Sequence, residues 1–415
     1  MLNMKVVIII ILDITLAFCL KSKQYKNQKV SSFDVIKELT QPKSYLDCCS
    51  MCMNQMSCEG AQFDGTTCKA LRNVKLKKDC THCTQDALID SELTNPKMTK
   101  LLIINAYCHT NHHHKKTEVI DLEVSDNHCT SIDFPHDMCY TTGALIGADL
   151  PFFCGGHDYS KVQKTDCYAL WKREYIHVTS MNQAKSRSFG NNVVIDGSLV
   201  LVAGVVSGSS TNTDKAEMVS LSGTKELPAL PKKVHNHCVV KVDDTKIMLI
   251  GGYDTGYTDE TFIYDFETEA WTPGHPLING RNGHACARIE VGTKPYIVVA
   301  GGYFTPSKTD KVEILDVVEN QGWIQGKKMP KALNVPSGVS LGSSMIVSGG
   351  INTAGDLVDD MYKFECTTNS IDDCEWKTME QKLKYVRGGH VSMLIPDSLA
   401  KELCPDSNPI GTLLG

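Results

Sequence analysis

Six times in this chain an apolar run ends in a pair of small or turn-forming residues, at almost constant intervals. The pairs are Asn105-Ala106, Gly155-Gly156, Ala203-Gly204, Gly251-Gly252, Gly301-Gly302 and Gly349-Gly350, with steps of 50, 48, 48, 50 and 48 residues. A repeat of this length cannot bury its apolar face alone, so its copies must pack against one another. The fourth copy is the clearest. Ile247 to Ile250 reads as a buried strand, Gly251-Gly252 as a sharp turn, Phe262 to Phe266 as the next strand, with Trp271 behind it. The first and third copies lack a full Gly-Gly pair, and their assignment rests on spacing.

The order apolar run, Gly-Gly, Tyr-Asp-like strand, Trp resembles a kelch repeat. That resemblance implies four-stranded blades arranged as a β-propeller. An Arg or His element precedes the run, seen best as Arg281-Asn282-Gly283-His284 and Arg387-Gly388-Gly389-His390. The second of these is followed by Val391 to Ile395 with no Gly-Gly strand after it, while the first unit enters directly at Leu101. Ring closure answers both facts, with 390–395 completing the first blade and removing the open edges of a linear array. The expected fold is mainly β: a six-bladed kelch-type propeller over residues 98–396, with a tail at 397–415.

The first 95 residues have a different character. Met1 to Lys5 is a short basic start, Val6 to Leu12 an apolar run, and Ala17-Phe18-Cys19 a plausible cleavage site, which together read as a signal peptide over residues 1–19. Asp13 interrupts the apolar run, so no transmembrane span is expected in the mature chain. Residues 20–95 are dense in cysteine. With Tyr45 to Met53 as a helix, Cys48 and Cys52 fall on one face, able to meet a sheet containing Phe63 and Cys68. The order Cys48, Cys52, Cys58, Phe63, Cys68, Leu71 resembles a PAN/Apple module. That resemblance implies a small disulfide-rich α+β unit with Cys48 paired to Cys68 and Cys52 to Cys58. Cys49 has no partner in this scheme. The Cys80-Thr81-His82-Cys83 spacing reads as a structural disulfide, since no second such pair follows it.

Of 18 cysteines, 17 would remain after cleavage behind Cys19, and secretion makes them disulfide candidates. Cys366 and Cys374 flank a short insertion and read as a local bridge. Cys139, Cys238 and Cys286 precede their Gly-Gly strands at nearly equivalent places and read as buried free thiols used as small apolar groups. The histidines 109, 112, 113 and 114 read as a solvated loop, because dense imidazoles on a loop are not a preorganised metal site. Trp271, Trp323 and Trp376 read as packing between blades, and Arg281, His284, Arg387 and His390 as structural.

A net charge of −6 gives no footprint for nucleic acid. No nucleophile elbow, phosphate loop, His-Glu-x-x-His or EF-hand pattern occurs, and no cofactor or metal is expected. The resemblance therefore implies a secreted, non-catalytic interaction protein whose Gly-Gly loops meet a protein or glycan. The loop residues singled out are Tyr107, His109, His157, Tyr159, Tyr253, Asp254, Tyr257, Tyr303, Phe304 and Asn352. The PAN/Apple-like module is a second possible binding element. The alternative is an extracellular carbohydrate-active enzyme. A mutarotase- or epimerase-like activity would use paired polar residues such as Arg281 and His284 at the channel mouth. A galactose oxidase-like activity would need seven blades and a Tyr/His copper centre. The ligand's identity and the oligomeric state have no signature in the sequence.

Overall fold

The computed structural model describes three strands before residue 77, at 30–40, 60–63 and 67–76, and then 98–405 apart from 107–114, 125–127, 148, 187–192 and 207–210. The chain divides into two units, one formed mainly by residues 1–96 and one by most of residues 97–415. In the first, strands Val30–Thr40, Thr67–Leu76 and Gly60–Phe63 form an antiparallel sheet in that spatial order, with Phe63 opposite Cys68. The expected helix at 45–53, with Cys48, Cys49, Cys52 and Cys58, lies outside the described residues, as do Tyr107, His109 and the histidines at 112–114.

The second unit is a six-bladed β-propeller. Blade 2 runs Thr142–Ile146, Leu150–Cys154, Asp166–Trp171, Glu174–Ser180 from the inside outward. Blade 3 contains Lys185–Ser186, Ser198–Val206, Asn212–Ser220 and Gly223–Leu227. Blade 4 is Cys238–Lys241, Lys246–Ile250, Thr261–Asp265, Ala270–Pro273, and blade 5 is Ala285–Val291, Lys294–Ala300, Val312–Asp316, Ile324–Gly326. Blade 6 is Ser337–Leu341, Ser344–Ser348, Met361–Cys366, Cys374–Thr378. Blade 1 joins the two ends of the array: Val391–Ile395 lies innermost, antiparallel to Lys100–Ile104, followed by Glu118–Asp121 and His128–Thr130. The second strands are buried along almost their whole length, because neighbouring blades cover both faces. Among the described residues no helix is long and apolar enough to cross a membrane.

The Gly-Gly pairs sit where blades meet. The second residue's N–H donates to the next blade: Gly156 to the Lys185 carbonyl, Gly204 to Val234, Gly252 to Arg281, Gly302 to Leu333 and Gly350 to Arg387. Both residues have positive φ, and a Cβ on Gly302 would stand 2.6 Å from the Asn282 carbonyl oxygen. Asn105 (φ 60°) and Ala203 (φ 52°) take the same left-handed conformation without being glycine, so both irregular units keep the first residue of the turn. We expect Gly302→Ala to lower stability by about 1–3 kcal/mol through backbone strain and collision. Urea denaturation checks this, with Gly342→Ala as the comparison, since a Cβ there meets no atom within 4 Å.

A second device alternates around the ring. Opposite the residue two before each Gly-Gly position stand Glu118, Tyr168, Glu217, Phe262, Glu313 and Tyr362 in blades 1 to 6. Odd blades carry glutamate and even blades an aromatic ring. Each glutamate meets a buried cation from its own blade: Arg387–Glu118 at 2.9 Å, Lys185–Glu217 at 2.9 Å, and Arg281–Glu313. The other carboxylate oxygen accepts a backbone N–H in all three cases, from Lys384, Asn182 and Ile278. The Arg281 guanidinium also donates to the carbonyls of Gly301 and Lys311, and Arg387 to those of Asn105 and Lys116. In blades 4 and 6 the cation's place is taken by Val234 and Leu333, both buried. The same two positions are thus filled in two ways, by a hydrogen-bonded ion pair or by a buried aliphatic residue and an aromatic one.

Trp271, Trp323 and Trp376 donate their indole N–H to the carbonyls of Pro228, His275 and Lys327, at 2.9, 2.8 and 2.9 Å. Each acceptor lies just after the preceding blade's outer strand, so the tryptophan fastens its blade to the one before it.

The thiol reading of the inner strands is corrected. Cys238 and Cys286 form a disulfide with Cα atoms 6.2 Å apart, and Cys139 is also disulfide-bonded. Inner strands of neighbouring blades converge towards the axis, which brings residues on adjacent repeats within bridging distance. Cys366–Cys374 and Cys154–Cys167 link paired strands inside blades 6 and 2, and Cys129–Cys404 ties blade 1's outer strand to the residue after helix Asp397–Leu403. There is no free cysteine among the described residues.

Candidate partner-binding face

The Gly-Gly turns lead into short closed hairpins. After the four pairs that are both glycine, the next residue pairs across its loop: His157 with Gln163, Tyr253 with Tyr257 and Ile351 with Leu357, while Tyr303–Phe304 pairs with Ser307–Lys308. Side chains on these loops are therefore held by strand pairing on a rigid ring, the setting in which a recognition surface needs little ordering on binding.

On blades 4 and 5 these hairpins bring together a strip of aromatic rings. His235 and Tyr253 have centroids 5.5 Å apart, Tyr253 and Tyr257 5.3 Å, and Tyr257 and Tyr303 5.4 Å. The last contact crosses from one blade to the next. Phe304 follows Tyr303 and carries the Lys311 ammonium 5.0 Å above its ring. All of these residues are half-buried. Burial, with Tyr303 and Tyr253 beside it, raises the Tyr257 phenol above its ordinary pKa.

The strip is anchored from blade 3. Asn212 donates through Nδ2 to the Tyr253 carbonyl at 3.0 Å, and its Oδ1 accepts from His235 Nδ1 at 2.7 Å. The Tyr303 hydroxyl donates to the Pro306 carbonyl at 2.8 Å. Asn212, His235 and Lys311 escaped the sequence reading. The only signal for them was position, since each flanks a Gly-Gly loop without standing out by type.

The other nominated residues are more scattered. Asp254 sits at the tip of the Tyr253 hairpin and belongs to this face. Tyr159, exposed, and Asn352 lie on the hairpins of blades 2 and 6. His157 is buried, with Nδ1–H donating to the Asp158 carbonyl and its ring against Tyr140, so it shapes its loop instead of facing solvent. Arg281 and His284, nominated for a mutarotase-like site, are buried at 0% and 2% exposure, the arginine inside its ion pair. The seven blades required by the oxidase-like reading are replaced by six. Among the described residues no group of three or more His, Cys, Asp or Glu is arranged to hold a metal.

Below the face, His237, His284 and His390 occupy the same place in blades 4, 5 and 1, immediately before or next to the inner strand. The His284 ring rests against Gly251 and the His390 ring against Gly349, positions where any Cβ would collide. Burial holds all three imidazoles below their ordinary pKa, His237 down to about 3, with Arg281 beside His284 and Arg387 beside His390 acting in the same direction. Since the unfolded chain takes up these protons near pH 6.5 and the folded chain does not, their stabilisation is complete above that pH and is lost as pH falls below it. The expected result is a denaturation midpoint that drops between pH 7 and pH 5. His237→Leu should flatten that drop, which paired urea titrations at the two pH values would reveal.

The Kelch motif matches residues 235–277, the segment that holds His235, Tyr253, Tyr257 and Trp271. The chain carries a kelch repeat. It is 30% identical over 141 residues to an F-box/kelch-repeat protein of Arabidopsis thaliana, an overlap of 32% of this chain and 34% of the relative. The chain thus spans about a third of the length of that curated relative. The solved structure of YjhT matches with a TM-score of 0.53 and 13% identity, over 68% of this chain and 98% of that one. At such identity the likeness concerns the fold, and the kelch propeller joins the six blades to the repeat read from the sequence.

Proposed function

We propose that this chain is a secreted, non-catalytic interaction protein that binds a protein partner through the aromatic strip on blades 4 and 5. The observation that carries the reading is the strip itself: three tyrosines and a phenylalanine, half-buried on closed hairpins, offering apolar area and phenolic hydroxyls at low entropic cost. The rings meet edge to face or tilted, which leaves ridges and edges more than broad open ring faces. Such a relief suits interdigitation with protein side chains better than stacking of a sugar ring. Kelch propellers generally serve protein interactions, which agrees with this surface. Secretion is supported by the basic-then-apolar start at Met1 to Cys19 and by disulfides within the propeller, which persist in oxidising compartments. The PAN/Apple-like reading of residues 20–95 belongs to the same proposal, as an independent binding module.

The test is a screen of the full secreted chain against extracellular-protein and glycan arrays, alongside a Tyr253→Ala/Tyr257→Ala variant with an unchanged circular dichroism spectrum. A protein hit weakened at least tenfold in the variant supports the reading. A glycan hit instead would replace the partner class, and binding indifferent to the two tyrosines would move the site elsewhere.

A further inference from the structure

We infer that the Cys238–Cys286 disulfide is a positioning element for the partner-binding face, holding the blade 4 tyrosines in register with Tyr303 on blade 5; this rests on the function proposed above. Two independent observations meet at one joint. The strip crosses from blade to blade at Tyr257–Tyr303, a contact between two separate hairpins with rings tilted by 32°. The inner strands of the same two blades are joined covalently by Cys238–Cys286. Of the four disulfides with both ends described, this one alone links two inner strands; the others lie within a blade or secure the C-terminal helix.

The path from bridge to strip is short and stiff. Cys238 is three residues from His235, whose backbone exchanges two hydrogen bonds with Tyr253. Cys286 is four residues from Asn282, which makes the same double exchange with Tyr303. Between the two segments, Gly283 N–H donates to the Asn236 carbonyl at 2.8 Å. The bridge therefore fixes the spacing of the two backbones on which the outermost rings of the strip are carried. Both cysteines are buried, at 2% and 0% exposure, so the bond is a permanent constraint of the folded chain.

The experiment compares the full-length protein with Cys238→Val/Cys286→Val, and with Cys366→Val/Cys374→Val as a control that removes a bridge inside one blade. The inference expects the first variant to retain its β-sheet spectrum, to show faster amide exchange at 253–260 and 303–310, and to bind the partner roughly tenfold more weakly. The control should change neither. Unaltered exchange in both hairpins would overturn the inference without needing any partner. Unaltered affinity in a variant whose Tyr257→Ala counterpart has lost binding would overturn it while leaving the proposed function intact. If the first variant fails to fold, Cys238→Ala/Cys286→Ser is used in its place, and the same exchange readout decides.

Discussion

An Arg281→Leu variant is expected to lose about 3–5 kcal/mol of stability, the cost of leaving a buried carboxylate without its cation. Glu313 is 1% exposed and would keep only neutral donors, the backbone N–H groups of Ile278 and Asn279 and the Asn279 side-chain amide. The guanidinium also closes the carbonyls of Gly301 and Lys311, so the loss reaches the turn beside Tyr303. Blade 6 shows the other way to fill this site, with Leu333 where Arg281 stands and Tyr362 where Glu313 stands. The double variant Arg281→Leu/Glu313→Tyr should therefore recover most of what the single one loses. Urea midpoints of the two variants decide the matter. A single variant within about 1 kcal/mol of the parent would mean that the pair contributes no more than a surface ion pair.

Removal of the Cys129–Cys404 disulfide has the second large effect. Its ends are separated by 275 residues, nearly the whole propeller. Opening the ring requires Val391–Ile395 to leave Lys100–Ile104, and helix Asp397–Leu403 to lift Leu399, Ala400 and Leu403 from a core shared with Leu102 and Phe134. The disulfide bars that release, because Cys404 stays fastened to the outer strand of the same blade. Cys129→Ala/Cys404→Ala is expected to cost about 2–5 kcal/mol, since a cross-link closing a long loop restricts the unfolded chain most. Cys366→Ala/Cys374→Ala, closing a separation of 8 residues, should cost less. Equal losses would show that strand pairing and the packing of the helix hold the ring without help from the bridge.

The propeller was legible because its turns are written in glycine. Each turn needs left-handed backbone beside a neighbouring carbonyl, and the interval between turns is set by four strands, so spacing survives even where Asn105 or Ala203 replaces glycine. Ring closure was legible from the unpaired strand at 391–395. The buried ion pairs were half visible: Arg281 and Arg387 stood out in their motifs, but Glu118, Glu217 and Glu313 lie across the blade in sequences that otherwise resemble any strand. The bridge between Cys238 and Cys286 was hidden for a different reason. Contacts between inner strands depend on how blades converge, and a repeat read one copy at a time has no information about its neighbour. For the same reason Tyr253, Tyr257 and Tyr303 could be named singly, whereas their union into one strip across a blade joint, clipped by Asn212, could not.

The most direct test of the account is amide hydrogen exchange on the intact disulfide-bonded chain with and without its protein partner. The account predicts that the partner slows exchange in the hairpins at 253–260 and 303–310, with little change at 157–165 and 351–359. Protection confined to the inner strands around the channel, or to residues 20–95, would contradict a binding face on blades 4 and 5.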